Sequence, residues 1–295
     1  MNDIAAVVVT YNRKSLLLEN ICCLLAQTCP LDIIIIDNAS SDGTYEAIAD
    51  YINENKILYF NTGSNLGGAG GFQYGIKVAV HSGYKYVWLM DDDCMPKTNA
   101  LAELVKAGKE LEVFGFLSSK VLWRDGSLCM MNVQRRTVTK PLKNYSGGNI
   151  RVAMASFVSV LIRTDVICEI GLPIKEFFIW TDDWEYTRRI SLKYPCYAVC
   201  LSEVVHKSNS NIGADIASDS IDRLERYKFL YRNDVYLYRR EGFKGFLYEV
   251  IRLTVHFFRI LFKAKDHKFL RIKMMLAGTK QGFAFKPQIE YIDQL

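Results

Sequence analysis

Three consecutive aspartates, Asp91-Asp92-Asp93, end the apolar run of residues 86–90. That run has the composition of a buried strand, so the three carboxylates fall on a short turn. Unpaired carboxylates repel each other and are costly to bury, and a hard divalent cation such as Mg²⁺ or Mn²⁺ relieves both effects. Such ions usually share carboxylate oxygens with the phosphates of a substrate. The triplet therefore predicts either a metal and diphosphate site or an acidic turn that faces water.

Three further strands are predicted to end in polar or glycine-rich segments. Strands that alternate with helices indicate a parallel α/β sheet, whose ligands bind beyond the carboxyl ends of the strands. The segments at these ends are Thr10 to Arg13, Asp37-Asn38, and Asn61 to Gly71 with a glycine loop over residues 67–71, beside the acidic triplet. The predicted strands span residues 5–9, 33–36, 57–60, 86–90 and 157–162, and helices are predicted over 15–26, 45–53, 72–81 and 182–192.

Asp37 and the glycine loop each allow two interpretations. A carboxylate at a strand end can accept hydrogen bonds from a base or a ribose hydroxyl, but Asp37 could equally start a turn. Glycines let the backbone approach a phosphate or sugar closely, and a helix N-terminus follows the loop. The loop lacks the Lys-Ser/Thr of a P-loop and the spacing of the dinucleotide fingerprint, so a flexible turn is the alternative.

A second carboxylate pair, Asp182-Asp183, opens a predicted helix between Trp180 and Trp184. The positive end of the helix dipole stabilises carboxylates there, so helix capping is an alternative to a binding role and is slightly favoured for Asp182. Aromatic rings stack on the C–H face of a sugar while a carboxylate takes a hydroxyl proton. We therefore predict Asp183 as a general base. His206, which follows a strand-like run, is either a third metal ligand or an ordinary packed histidine.

The last quarter of the chain differs in charge from the rest. Residues 1–220 hold 21 Lys and Arg against 24 Asp and Glu, whereas residues 221–295 hold 16 against 8, so a charge of −3 precedes one of +8. From Ile221 onward the pattern is helical, basic and aromatic, with no nucleic-acid module. These helices either pack on the main domain or place residues 241–295 on an anionic membrane surface.

Composition points to a globular protein inside the cell. Half of the residues are hydrophobic and 13% are aromatic. The eight cysteines are scattered without a CxxC pair, which favours reduced, buried thiols. The first residues lack the pattern of a signal peptide, and no apolar run is long enough to span a membrane. We expect a cytoplasmic protein, and peripheral attachment to the inner face of the cytoplasmic membrane stays open.

Taken in order, these motifs resemble those of family 2 glycosyltransferases. The matching segments are residues 7–13, 35–44, 65–72 and the triplet, and the resemblance covers about residues 4–235. Residues 67–72, the triplet and residues 180–186 together are similar to the galactofuranosyltransferase branch. The resemblance implies a GT-A fold over residues 1–220, a Rossmann-like, mostly parallel sheet flanked by helices. A basic, helical extension over residues 221–295 follows it.

The resemblance also implies a role for each matching residue. Asp183 matches the base that deprotonates the acceptor, and a bound Mn²⁺ or Mg²⁺ is implied as cofactor. Metal binding is implied for Asp91, Asp93 and His206. Donor binding is implied for Thr10, Arg13, Asp37, Asn65, Gly68, Asp91 and Asp92. The residues expected to bind the acceptor are Trp180, Asp182 and Trp184.

The implied activity is inverting transfer of a sugar in the synthesis of a bacterial surface polysaccharide. The expected donor is UDP-galactofuranose, and the acceptor is a glycan or a polyprenyl-diphosphate-linked glycan. A rhamnosyltransferase that uses dTDP-rhamnose, a nucleotidyltransferase and a non-catalytic nucleotide-sugar-binding protein are the alternatives. No nucleic-acid partner is expected, and the oligomeric state is left open.

Overall fold

Nine strands form one sheet in residues 2–292, the part of the chain that the computed structural model describes. The strands are β1 (Ile4–Thr10), β2 (Asp32–Asp37), β3 (Leu58–Asn61), β4 (Tyr86–Asp91), β5 (Cys94–Pro96), β6 (Phe116–Trp123), β7 (Asn149–Arg151), β8 (Val160–Arg163) and β9 (Tyr197–His206). The helices are α1 (Lys14–Leu25), α2 (Thr44–Asn53), α3 (Gly67–His81), α4 (Ala100–Leu111), α5 (Thr164–Ile170), α6 (Asp182–Ser191), α7 (Tyr227–Arg239), α8 (Gly242–Lys263) and α9 (Lys268–Ala284).

The N-terminal half of the sheet is parallel, as the sequence predicts. Strands β3, β2, β1 and β4 lie side by side in that order. All residues of β1 are buried, and successive side chains alternate between two hydrophobic cores. Val7 packs in one core, and Val8 packs in the other. Apolar runs without alternation are therefore explained by helices on both faces of the sheet.

The other half of the sheet is mixed. Strand β8 runs antiparallel to both β4 and β6, β6 runs parallel to β9, and β5 and β7 are antiparallel to β9. Strand β6 falls in a segment whose sequence indicates only mixed, turn-rich structure. Its buried Ser119 Oγ lies 2.6 Å from Ser159 Oγ and 2.7 Å from Ser202 Oγ. Buried serines whose hydroxyls are hydrogen-bonded interrupt the apolar pattern of this strand, so its sequence does not indicate a buried strand.

The prediction of a glycine loop over residues 67–71 is wrong, because these residues form the first turn of α3. The glycines allow close packing here. A Cβ atom on Gly71 would lie 2.6 Å from Val9 Cγ1, and one on Gly75 would lie 2.4 Å from Val7 Cγ1. Gly67 has a φ of +71°, and a Cβ there would lie 2.1 Å from the carbonyl oxygen of Phe178. These contacts fix α3 against β1 and against the segment before α6.

The helical prediction for the C-terminal extension is confirmed within the described residues, whereas residues 293–295 lie outside them. Helix α7 packs against both α8 and α9. Tyr236 of α7 meets Phe177, just before α6, with ring centroids 5.5 Å apart. The domain boundary at residue 220 stays a prediction. None of the helices in residues 2–292 is long and apolar enough to cross a membrane.

Candidate active site

The carboxyl ends of the parallel strands meet at one edge of the sheet. Thr10 at the end of β1 pairs with Asp37 of β2, and Val9 pairs with Asp91 of β4. Strand β9 reaches the same place from the other half of the sheet, because His206 pairs with Cys94, the residue after the triplet. The sheet register thus brings polar side chains from four parts of the sequence to one edge.

Asp91, Asp93 and His206 form a cluster whose potential ligand atoms lie within 4.8 Å of one another. Asp93 Oδ1 is buried and accepts no hydrogen bond from the described residues, although His206 Nε2 lies 3.1 Å away. Burial, reinforced by the charge of Asp93, raises the pKa of Asp91 to about 7. Two crowded carboxylates and an imidazole at this spacing fit a divalent cation.

The imidazole of His206 is oriented by a residue that the sequence reading missed. His206 Nδ1 lies 2.7 Å from Asn132 Oδ1, and the Asn132 amide donates to Ser156 Oγ at 2.9 Å. A carbonyl oxygen only accepts, so Nδ1 carries a hydrogen and Nε2 faces Asp93. Burial alone would lower the pKa of His206, but Asp93 and Cys129 raise it to about 10. A metal ion would take the place of that proton.

The middle aspartate of the triplet is held by the protein itself. Thr10 Oγ1 donates to Asp92 Oδ2 at 2.7 Å. Arg13 donates to Asp92 Oδ1 at 3.3 Å and to Asp93 Oδ2 at 2.7 Å, and its side chain stays 52% exposed. Burial raises the pKa of Asp92 to about 6 although Arg13 opposes the shift. For Asp93, burial would raise the pKa, but His206 and Arg13 hold it below its usual value.

Three predicted donor-binding residues lie around β2 and the start of α3. Asp37 is buried and accepts hydrogen bonds from the Ser40 backbone and the Tyr59 hydroxyl, both at 2.8 Å. Asn65 is exposed, and its Oδ1 accepts from the Gly67 backbone at 2.9 Å. A Cβ on Gly68 would meet nothing within 4 Å, so open space adjoins this glycine. Their donor contacts stay predictions.

Asp182 and Asp183 lie in the first turn of α6, as predicted. Asp183 Oδ1 accepts a hydrogen bond from the Trp184 backbone at 2.7 Å. Burial raises the pKa of Asp183 well above its usual value, and the charges of Asp182 and Asp91 raise it further. Burial likewise raises the pKa of Asp182 to about 7.

The two tryptophans are half-buried and pack against different neighbours. Trp180 lies 5.1 Å from Tyr227 between ring centroids. The Arg135 guanidinium lies 4.6 Å from the centre of the Trp184 ring. Each ring therefore has a structural contact besides the acceptor role predicted for it, and that role stays a prediction.

The backbone before α6 is strained, and α7 holds it. Phe178, Trp180 and Thr181 have φ angles of +64°, +64° and +68°, which residues other than glycine rarely adopt. Asn233 Nδ2 lies 3.0, 3.1 and 2.9 Å from the carbonyl oxygens of residues 177, 179 and 180. Thr181 Oγ1 donates to Asp234 Oδ1 at 2.7 Å. We call these contacts of Asn233 and Asp234 the α7 clamp.

The α7 clamp was not predicted. Asn233 lies more than fifty residues from its partners in the sequence, and an asparagine inside a helical pattern gives no sign of them. A partial signal was available, because Tyr231-Arg232-Asn233 resembles the start of the C-terminal helical region of family 2 enzymes.

Sequence comparisons identify the family to which the chain is related. A sequence model described as "Glycosyl transferase family 2" matches residues 5–160, more than half of the chain. Galactofuranosyltransferase GlfT1 of Mycolicibacterium smegmatis is 26% identical over 299 residues, which cover 95% of this chain and 97% of that protein.

Two solved structures share the fold. S. aureus TarS superposes with a TM-score of 0.57 at 17% identity, over 81% of this chain and 44% of that one. Mannosyltransferase PcManGT from Pyrobaculum calidifontis, solved with GDP-Man and Mn²⁺, gives a TM-score of 0.57 at 15% identity, over 96% and 75% of the two chains. The chain therefore belongs to glycosyl transferase family 2 and is a glycosyltransferase with the GT-A fold.

Proposed function

We propose that the protein is a metal-dependent, inverting galactofuranosyltransferase. The observation that carries this proposal is the cluster of Asp91, Asp93 and His206 at the carboxyl ends of the strands. The first turn of α6 supplies Asp183 as a candidate base, and a base together with a metal-type site suits attack by a hydroxyl on a sugar diphosphate. The choice of UDP-galactofuranose as donor is supported by the match to a galactofuranosyltransferase along nearly the whole chain.

Asp91, Asp93 and His206 would hold the metal ion. The ion would supply positive charge that stabilises the diphosphate as it leaves. A ligand set with an imidazole favours Mn²⁺ over Mg²⁺, because nitrogen ligands suit transition metals better. Arg13, which is half-exposed beside the triplet, would add positive charge at the same leaving group.

Asp183 would act as the general base. The acceptor oxygen forms a bond to the anomeric carbon from the face opposite the breaking C–O bond, so the anomeric configuration inverts. The hydroxyl proton goes to Asp183, and UDP leaves. Burial raises the pKa of Asp183, and a carboxylate with a raised pKa is a stronger base than an ordinary aspartate.

The remaining predicted residues would position the two substrates. Thr10 would fix Asp92 near the donor sugar, and Asp37 would bind the nucleotide beside β2. The backbone at Asn65 and Gly68 would lie along the donor, in the open space beside the start of α3. Trp180, Asp182 and Trp184 would contact the acceptor, for which we propose a glycan or a polyprenyl-diphosphate-linked glycan in surface polysaccharide synthesis. Work at a lipid-linked acceptor fits a cytoplasmic protein at the inner face of the cytoplasmic membrane.

The test is release of UDP from UDP-galactofuranose by the purified protein, with dTDP-rhamnose as the competing donor and an oligosaccharide or lipid-linked acceptor. We expect turnover with Mn²⁺ that stops in EDTA, and product NMR should show inverted galactofuranose. Faster use of dTDP-rhamnose would overturn the donor assignment. Binding without turnover of any nucleotide sugar would overturn the enzymatic proposal.

The variant Asp183→Asn separates binding from chemistry. We expect transfer to fall roughly 10²- to 10⁴-fold, because a general base contributes about that much. Binding of UDP and Mn²⁺, measured by calorimetry, should persist. Asp50→Asn, on α2, is the matched control and should retain full activity. Full activity in Asp183→Asn would remove the base assignment.

A further inference from the structure

The outward side of α8 is apolar along most of its length. Between residues 246 and 258 the exposed positions are all apolar except Thr254. Phe243 and Phe262 continue the exposed apolar surface at the two ends. The residues recur with helical spacing over about 30 Å, since each residue adds 1.5 Å. The exposed apolar side chains are Phe246, Leu247, Val250, Ile251, Val255, Phe257 and Phe258.

Two charged residues in the middle of the same helix, Glu249 and Arg252, face inward, whereas Lys244 and Lys263 near its ends are exposed. Glu249 is only 5% exposed, and Arg252 donates to it at 2.7 Å. Arg252 also pairs with Asp234 of α7 at 2.9 Å. His256 Nδ1 lies 2.9 Å from the Tyr231 hydroxyl. The helix is thus amphipathic in the reverse sense to a helix that packs on a core and faces water.

Helix α9 adds lysines to an exposed apolar stripe. Phe269, Leu276 and Phe283 are exposed at intervals of seven residues, and Lys273 and Lys280 are exposed four residues after the first two. Residues spaced by four and seven lie on one side of a helix. Helix α9 contacts α8, and both pack on α7. We call the exposed sides of α8 and α9 the α8–α9 surface.

Positive charge dominates the edges of this surface. Lys263 and Lys265, at the end of α8, are exposed like the lysines of α9. Asp266 is an acidic residue among them, and it is already paired with Arg271. Apolar side chains mixed with ammonium groups are typical of helices that lie in the headgroup region of an anionic bilayer.

We propose that the α8–α9 surface binds the surface of an anionic lipid bilayer. The aromatic and aliphatic side chains of α8 enter the boundary between headgroups and acyl chains, and the lysines contact lipid phosphates. A second copy of the chain is the weaker fit, because a two-fold contact brings two positively charged surfaces together. The proposal does not depend on the proposed function, since vesicle binding is measured without any nucleotide sugar.

The experiment is flotation of the full-length protein with vesicles of phosphatidylcholine alone or mixed with phosphatidylglycerol. We expect binding to the mixed vesicles that weakens with salt. The triple variant Phe246→Gln/Ile251→Gln/Phe258→Gln should bind at least about tenfold more weakly, because large apolar side chains no longer insert. Lys273→Gln/Lys280→Gln should lose about fivefold per lysine on mixed vesicles.

The matched control replaces exposed apolar residues elsewhere, in Leu192→Gln/Leu201→Gln/Ile212→Gln, and should bind like wild type. Thermal unfolding checks that every variant is folded. Equal binding by wild type and the α8 triple variant would overturn the proposal, as would a wild type that does not float with either vesicle. A wild-type dimer that the triple variant abolishes, with no vesicle binding, would assign the surface to self-association instead.

Discussion

The two carboxylate groups of the site are held by different parts of the molecule. Asp92 and Asp93 are bound by Thr10, Arg13 and His206, which the sheet register places at a common edge. Asp183 follows a strained segment that Asn233 and Asp234 hold from outside the sheet. The first group depends on strand pairing, whereas the second depends on the α7 clamp. One edge of the fold is thus self-supporting, and the other needs the C-terminal helices.

The electrostatics of the two groups differ in the same way. Arg13 and His206 keep the pKa of Asp93 below its usual value, so this carboxylate stays anionic and can bind a cation. For Asp183, burial raises the pKa well above the usual value, and Arg135 opposes this shift only in part. The same residue type is therefore held anionic in one environment and made more basic in the other.

The largest effect on metal binding is expected for Asp93→Asn. Asparagine lacks the negative charge that Asp93 would contribute to the metal site beside Asp91 and His206. We therefore expect Mn²⁺ binding to be lost and transfer to fall roughly 10²- to 10³-fold. Asp183→Asn should keep Mn²⁺ binding, which makes it the control. Calorimetric titration of both variants with Mn²⁺ separates them. Equal loss of Mn²⁺ affinity in the two variants would contradict the division between the groups.

The next effect concerns the α7 clamp. Asn233→Ala removes an amide that donates to three carbonyl groups beside a strained backbone. Among these contacts, only the carbonyl group of Phe177 has further donors, which are Arg232 and the Ile179 backbone. We therefore expect a loss of about 2–3 kcal/mol in the free energy of unfolding. We expect kcat to fall because Asp183 loses its position, while UDP and Mn²⁺ bind as in wild type. Urea denaturation and titration with UDP and Mn²⁺ measure the two quantities.

Asn233→Asp is the matched variant for the clamp, since aspartate has nearly the same shape but donates no hydrogen bond. We expect it to be at least as damaging as alanine, because a carboxylate would face the same carbonyl oxygens. Wild-type kcat in either variant would show that the strained segment holds itself. A fall in UDP affinity as large as the fall in kcat would mean that the two groups are not independent.

The sequence predicts the acidic triplet at the sheet edge better than the segment that the α7 clamp holds, for a physical reason. Apolar runs that end in polar residues identify parallel strands, and parallel strands necessarily align their carboxyl ends. The sequence does not identify strand β6 because its buried Ser119 is paired with serines 40 and 83 residues away. The glycine loop was misread because the close approach of α3 to Val7 and Val9 is visible only in three dimensions. Asn132 and Asn233 act through partners distant in sequence, which periodicity cannot reveal.

A smaller effect is expected at Asn132, which we regard as a positioning residue. Asn132→Leu leaves His206 Nδ1 without its acceptor, so the ring can rotate or exchange its hydrogen between nitrogens. We expect Mn²⁺ affinity to fall about 10- to 100-fold, as for other groups that orient a metal ligand. Ser156→Ala should fall less, because it contacts Asn132 and not the histidine. Unchanged Mn²⁺ affinity in Asn132→Leu would exclude the positioning role.

The last prediction concerns His256 and the pH dependence of stability, and His206 of the candidate active site provides the contrast. Burial, together with Arg252 and Arg259, lowers the pKa of His256 to about 4. Between pH 6.5 and 4 the unfolded chain therefore binds a proton that the folded protein does not bind. The free energy of unfolding decreases as the pH falls through this range. In the metal-free protein His206 acts in the opposite sense: its pKa of about 10 adds stability that is lost as the pH rises from 6.5.

We therefore expect His256→Phe to reduce the loss of stability on acidification, by at most about 2 kcal/mol at pH 5. Urea denaturation of metal-free wild type and variant at pH 5 and pH 7.5 gives the difference directly. Phenylalanine also removes the contact with the Tyr231 hydroxyl, but that loss is the same at both pH values and cancels in the comparison. If the acid sensitivity is identical in the two proteins, His256 is not held neutral. The buried polar side of α8 is then stabilised by the ion pairs of Arg252 with Asp234 and Glu249.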